Sequence, residues 1–215
     1  MKRNIYKVIA IITLIMSLFT SKSFSQTDTD ISLPSPDRTG GRPLMACLND
    51  RQSSREFSTK ELSMQDISNL LWAANGINRE KESKHTAPTS MNSQNMEVYI
   101  ILKDGVYQYD DKANKLKMIQ PGNHMKAAGK QDFVEKAMLN VIIVSDMTKL
   151  GDASLESKLL NSGIHAGAII QNIYLYCASA GLHTVVRAWF DQDTLSQALK
   201  LSSDKRVILA QTVGY

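Results

Sequence analysis

Apolar residues in this chain fall into runs with two different periods. Beyond residue 164, Ile169, Ile173, Tyr176 and Cys177 recur at three- and four-residue steps, which predicts a long helix with a buried stripe. Ala166, Gly167, Ala168 and Ala178 leave shallow places on that helix where another backbone can approach. Gly181 suits the left-handed residue that ends a helix, and residues 183–188 then read as a short buried strand. Upstream, Ser63 opens an amphipathic helix in which Ile67, Leu70, Leu71 and Ala74 share one face. Ser63 and Asp66 have the spacing of a capping pair, and Gly76 ends the helix. Shorter helices are predicted over residues 43–48, ending near Arg51, over 133–138, and over 193–200 with Asp193 or Thr194 as cap.

Period-two and short continuous apolar runs predict strands at 96–102, 106–109, 116–119, 140–145 and 207–215. Lys103, Asp104 and Gly105 form a hairpin turn between the first two. Residues 79–83 read as a charged loop and 149–158 as a polar connection. Strands and helices in this order predict an α+β fold, a central mixed, largely antiparallel sheet flanked by helices.

The N-terminus divides the chain. Lys2, Arg3 and Lys7 precede an apolar run from residue 8 to 19 broken by Thr13 and Ser17, and Ser23 and Ser25 are small residues suited to signal peptidase. Residues 1–25 therefore read as a signal peptide cleaved near Ser25–Gln26, 26–41 as a Pro- and Gly-containing linker, and 42–215 as the folded domain. The run is shorter than the roughly 20 apolar residues that span a bilayer, so the mature protein is expected in the periplasm with no stable membrane span.

The net charge of +4 (25 Lys+Arg, 21 Asp+Glu) then loses its meaning. Lys2, Arg3, Lys7 and Lys22 all leave with the signal, and 4 − 4 gives a mature chain near neutrality. It carries no basic stripe, which argues against nucleic-acid binding. Cys47 and Cys177 read as small buried thiols rather than a disulfide. His85, His124, His165 and His183 lack ligand spacing, so no metal is expected.

Three segments carry candidate chemistry. RQSSREF (residues 51–57) sets two guanidinium groups four positions apart with Ser53 and Ser54 between them, a donor set suited to phosphate. APTSMNSQ (87–94) is an aperiodic polar loop leading into a strand. AGLHTVVRAWFD (180–191) is the helix-to-strand junction. In this order they resemble the FMN-dependent nitroreductase family, and the closing VILAQTVGY resembles that family's last core strand. The resemblance covers residues 42–215.

That resemblance implies an intertwined homodimer with FMN bound between subunits. Hydride would pass by a ping-pong route through flavin N5 to a small acceptor such as a quinone or nitro compound. Arg51, Ser53 and Arg55 would hold the phosphate and ribityl chain. Pro88, Thr89, Ser90 and Asn92 would reach the dimethylbenzene edge from the partner subunit. Gln131, or Lys130 beside it, would meet the pyrimidine edge. Val186, Arg187 and Ala188 would flank the reactive edge, with a main-chain amide near Ala188 donating to N5. Arg187 would either place positive charge near N1 and O2 or reach solvent, and Trp189 would wall the pocket or pack in the core. Many members carry a further basic pair beyond the last strand; this sequence ends at Tyr215, which leaves the phosphate to Arg51 and Arg55.

No side chain is expected to be a catalytic acid, base or nucleophile: no nucleophile–base pair or carboxylate pair is in evidence. Flavin chemistry needs none. Export makes NAD(P)H a doubtful electron donor and points to a quinol or a redox partner. Two alternatives stand beside this: an azoline-type flavin dehydrogenase, whose Lys-Tyr pair is not found in the sequence, and a non-catalytic FMN-binding or storage protein.

Overall fold

Strands β4 (Met96–Ile101) and β7 (Leu139–Asp146) are almost continuously apolar and buried, the pattern of strands covered on both faces. They form the middle of a seven-stranded sheet in the computed structural model, which describes residues 30–215. The expected signal peptide lies outside those residues. With β1 (Ile31–Ser32), β5 (Gly105–Asp110), β6 (Lys115–Pro121), β8 (His183–Arg187) and β9 (Lys205–Gly214), the order is β1-β6-β5-β4-β7-β9-β8. Every described pairing in it is antiparallel, so the expected α+β sheet holds and no parallel pair dilutes it. A separate hairpin joins β2 (Ile77–Arg79) to β3 (Lys84–His85).

Two apolar layers cover the sheet. On one face α2 (Met64–Asn75) and α4 (Leu155–Ala180) bury Ile67, Leu70, Leu71, Ile169 and Ile173 against Val98, Ile100, Val141, Ile143 and Val213. On the other, the turn Met125–Ala128, α3 (Phe133–Lys136) and α5 (Gln192–Ala198) cover Tyr99, Ile101, Ile142, Val144, Val207 and Ala210. The first helix, α1 (Leu44–Asp50), packs against α4.

Local signals set the element ends. Ser63 and Asp66 form a capping box, each side chain accepting from the other's backbone N–H at 3.1 and 3.0 Å. Gly181 closes α4 with φ 69° and ψ 31°, and Leu182 N–H returns to Cys177 O at 2.9 Å, which aims the chain into β8.

Four expectations are corrected. Residues 30–34 pack on the sheet, so the first part of the expected 26–41 linker that is described belongs to the fold. Ile31 and Ser32 pair with Leu116 and Lys115, Leu33 is buried, and Asp30 meets Lys115 at 2.7 Å, because β6 otherwise has an open edge. α4 begins inside the expected 149–158 connection, where Ser154 accepts from Ser157 N–H; polar residues there occupy its solvent side. The cap of α5 is Asp191, accepting from Thr194 N–H at 2.9 Å, not Asp193 or Thr194. Residues 79–82 close β2 and make a single 3-10 turn rather than a loop. Cys47 and Cys177 are buried free thiols. Among the described residues no helix is long and apolar enough to cross a membrane, and no His, Cys, Asp or Glu cluster suits a metal ion.

Candidate functional site

β8 ends the sheet, so one of its edges pairs with β9 and the other is open to neighbours. Residues 51–57 run along that open edge. Ser54 N–H donates to Thr184 O at 3.0 Å, and His183 Nδ1 meets Glu56 O at 2.7 Å. Alternate residues of a strand direct their backbone groups to the same edge. Thr184 and Val186 therefore share this one, and Ala188 follows just past the end of the strand. Thr184 is taken by Ser54, Val186 N–H donates to the Tyr174 hydroxyl at 3.0 Å, and Ala188 is exposed.

Tyr174 joins the pieces. Its hydroxyl also lies 2.7 Å from Ser53 Oγ, and the Arg51 guanidinium sits 5.2 Å from its ring centroid, within cation–π range. One side chain on α4 thus fixes the serine, the first arginine and the strand edge. The sequence reading passed over it because tyrosine fits a buried helical stripe; the available signal was that a buried tyrosine hydroxyl needs a partner. Arg55, one turn of chain further on, is exposed.

Residues 128–131 hang beside the end of β8. Lys130 N–H donates to Trp189 O at 3.2 Å, and the Arg187 guanidinium donates to Ala128 O. Gln131 Oε1 is buried without a hydrogen-bond partner among the described residues. Trp189 is exposed, which removes the core alternative for it.

Arg187 does not reach solvent, contrary to one of its two expected placements. It is 6% exposed and donates to Thr212 Oγ1 at 3.0 and 2.8 Å and to Asn140 Oδ1. Gly129 leaves room for it, since a Cβ there would stand 2.5 Å from Arg187 Nη1. Burial pulls its pKa down to about 10, so it is still protonated at neutral pH.

The fourth segment, residues 88–92, is docked elsewhere. Ser90 N–H donates to His165 Nε2 at 2.8 Å, with Ser90 Oγ at 3.0 Å from the same nitrogen. His165 Nδ1 meets Asn95 Oδ1 at 2.8 Å, and Asn95 Nδ2 donates to Ser145 Oγ, which lies 2.8 Å from Ser162 Oγ. An N–H pointing at Nε2 requires a neutral ring with its proton on Nδ1. These bonds hold a loop in which Met91, Asn92 and Gln94 all take left-handed backbone angles, and the Met91 side chain is fully exposed. The sequence showed His165 only as one of four scattered histidines.

His165 and Tyr174 are nine positions apart on α4 (174 − 165), about 14 Å along the axis. A single chain therefore unites Arg51, Ser53, Val186, Ala188 and the 128–131 segment, but leaves Pro88, Thr89, Ser90 and Asn92 at the other half of the helix. A cavity of about 620 Å³ lies in a different place. It lies between residues 37–44, α2 and α4, and none of the expected site residues lines it.

The nitroreductase family model matches residues 48–215. The chain belongs to the nitroreductase family. A nitroreductase-family protein of Ralstonia eutropha JMP134, solved as a crystal structure, is 39% identical, with a TM-score of 0.81 over 86% of this chain and 88% of that one. MJ1384 of Methanocaldococcus jannaschii, described as a nitroreductase, is 27% identical over 72% of this chain and 82% of its own. The Escherichia coli microcin synthetase McbBCD complex contains a chain with the same fold, at 16% identity and a TM-score of 0.66 over 78% of this chain and 71% of that one.

In this member of the nitroreductase family the His165 bonds give the 88–92 loop a pH dependence of known sign. Burial lowers the His165 pKa, so the folded protein favours the neutral ring. Its contribution is complete above the ordinary value of 6.5 and is lost as pH falls through the lowered folded value. We expect the thermal midpoint to drop as pH is lowered from 7 to 5, and His165→Gln to flatten that slope; equal slopes for the two proteins in calorimetry would contradict the role.

Proposed function

We propose that the protein is a homodimeric, FMN-dependent oxidoreductase that accepts hydride equivalents on the cofactor and passes them to a small organic acceptor such as a quinone or nitro compound. The observation that carries this is the open edge of β8, where Tyr174 binds the Arg51–Ser53 segment to Val186, two residues before the exposed Ala188. Residues at this surface fit FMN in chemical kind. Two guanidiniums and a serine hydroxyl suit its phosphate. The buried, unpartnered Gln131 Oε1 suits an N–H of the ring's pyrimidine half, a group that would otherwise remain unsatisfied. A main-chain N–H at Ala188 suits N5.

FMN, when bound, supplies the two-electron redox chemistry that no side chain here offers. The chain's own residues bind and orient it. Arg51 and Arg55 anchor the anionic tail, with Arg51 steadied by the face of Tyr174. Ser53 adds a hydroxyl already oriented by that tyrosine. Val186 is held by Tyr174, which fixes the position of the following amide.

The dimer reading is supported by what α4 leaves uncovered. Leu160 and Ile164 are 66% and 61% exposed, and Gly163 and Gly167 beside them have open space where a side chain would stand. Two such faces packed antiparallel would set the N-terminal half of one α4 against the C-terminal half of the other. That brings Pro88, Thr89, Ser90 and Asn92 of one subunit to the Tyr174 end of its neighbour. The basic-then-apolar N-terminus supports export to the periplasm with cleavage near Ser25–Gln26. There a quinol or a redox protein is a more available donor than NAD(P)H.

Arg51→Ala should purify folded but largely colourless, with FMN affinity lowered at least about tenfold, as expected for losing a charge-assisted phosphate contact. Full flavin occupancy in that variant would refute the assignment. Ile164→Glu should sediment as a monomer and lose flavin together with the dimer; a dimeric, yellow variant would rule out this interface. Mass spectrometry of the exported protein should find a chain starting near Gln26, and intact Met1 on soluble cytoplasmic material would defeat the export reading.

A further inference from the structure

Arg187 is a buried cation whose hydrogen-bond acceptors are all neutral: Thr212 Oγ1, Asn140 Oδ1 and the Ala128 carbonyl. No salt bridge found among the described residues includes it. Burying a charge without a counter-ion is costly, and donors satisfied by dipoles offset only part of that cost. The charge is nonetheless kept, because a pKa near 10 leaves the guanidinium protonated at pH 7. It is also fixed in place. Three acceptors on β9, β7 and the 125–128 turn hold the planar group, and Gly129 presses against it without a Cβ.

Its position bears on the proposed site. The main chain of Arg187 lies between Val186 and Ala188. Its guanidinium holds Ala128, and Lys130 N–H holds Trp189 O, so the strand end and residues 128–131 are tied together by two bonds. The positive charge therefore sits beneath the corner where those two segments meet. Hydride addition to a flavin brings two electrons and one proton. If no second proton follows, the ring gains one negative charge, spread over its pyrimidine half, the half assigned above to Gln131.

We propose that Arg187 is a fixed cation that makes this site favour the reduced cofactor over the oxidised one, and that the same hydrogen bonds position Ala188 and Gln131 relative to each other. A charge held in a low-dielectric interior acts on a neighbouring anion more strongly than one in water. The proposal rests on the FMN reading.

The test uses the FMN-loaded protein and measures the affinity for oxidised FMN by fluorescence, the reduction potential against a reference dye, and the fold by circular dichroism. Arg187→Gln should stay folded, bind oxidised FMN, and lose at least about tenfold of the preference for reduced over oxidised FMN. Arg187→Lys, which keeps a charge but not the three-point geometry, should lose much less. A folded, flavin-bound Arg187→Gln protein whose preference is unchanged would overturn the proposal. Should that variant not fold, the reduced flavin is titrated spectrophotometrically in Lys130→Gln protein at saturating FMN, which removes the exposed cation beside Gln131 and leaves Arg187. The bound reduced flavin should then stay deprotonated at a lower pH than free reduced FMN does, and titration at the free value would overturn the proposal. Failure of the native protein to bind FMN would be a distinct result, overturning the FMN reading and this inference with it.

Discussion

The open edge of β8 organises this molecule. An unpaired strand edge presents backbone donors and acceptors that must be satisfied or shielded. Here the chain that follows α1 returns to do it, through Ser54 on Thr184 and through the Tyr174 hydroxyl on Val186. Covering the edge is a stability requirement, yet it carries the arginine–serine segment to the end of the strand, where Ala188 is exposed. A structural need and the proposed binding surface are met by the same bonds. Tyr174 is central because it reaches both partners from a helix that is itself packed on the sheet.

The two faces of the sheet contribute unequally. The α2/α4 face supplies the large apolar core, while the face under the 125–128 turn contains a polar cluster of Arg187, Thr212 and Asn140. Thr212 Oγ1 also donates to Asn140 Oδ1 at 2.7 Å, so the cluster is cross-braced. Such networks confer a defined geometry when every member is satisfied. The strand end and the segment beside it inherit that definition.

Periodicity made most of the fold legible. The stripe through Ile169 and Ile173 and the apolar runs of β4 and β7 left little choice, since burial dictates both period and partner face. Capping chemistry was visible at Ser63 because its partner lies three residues away. Asp191 was misplaced by two residues, since several polar side chains compete for one cap and only three-dimensional geometry selects among them. β1 was hidden because two residues carry no period; its pairing is imposed by β6, with Leu116 lying 85 positions from Ile31 (116 − 31). At the candidate site, residues 51–55 and 186–188 are suggested by a family pattern. Tyr174 and His165 are not, because each works through contacts that join segments distant in sequence. Arg187 was ambiguous for a similar reason: whether an arginine on a strand points out or in depends on what covers that face, here a glycine-bearing turn.

The packing of residues 30–33 on β6 has a practical side. Remove the chain before Arg42, as a boundary drawn from composition would suggest, and the flank of β6 from Lys115 to Met118 loses its cover, with Lys115 stripped of its Asp30 contact. Naked β-flanks recruit other chains. A trimmed protein of that kind would be prone to clump even with its sheet core intact, so the short N-terminal strap acts as a guard against self-association.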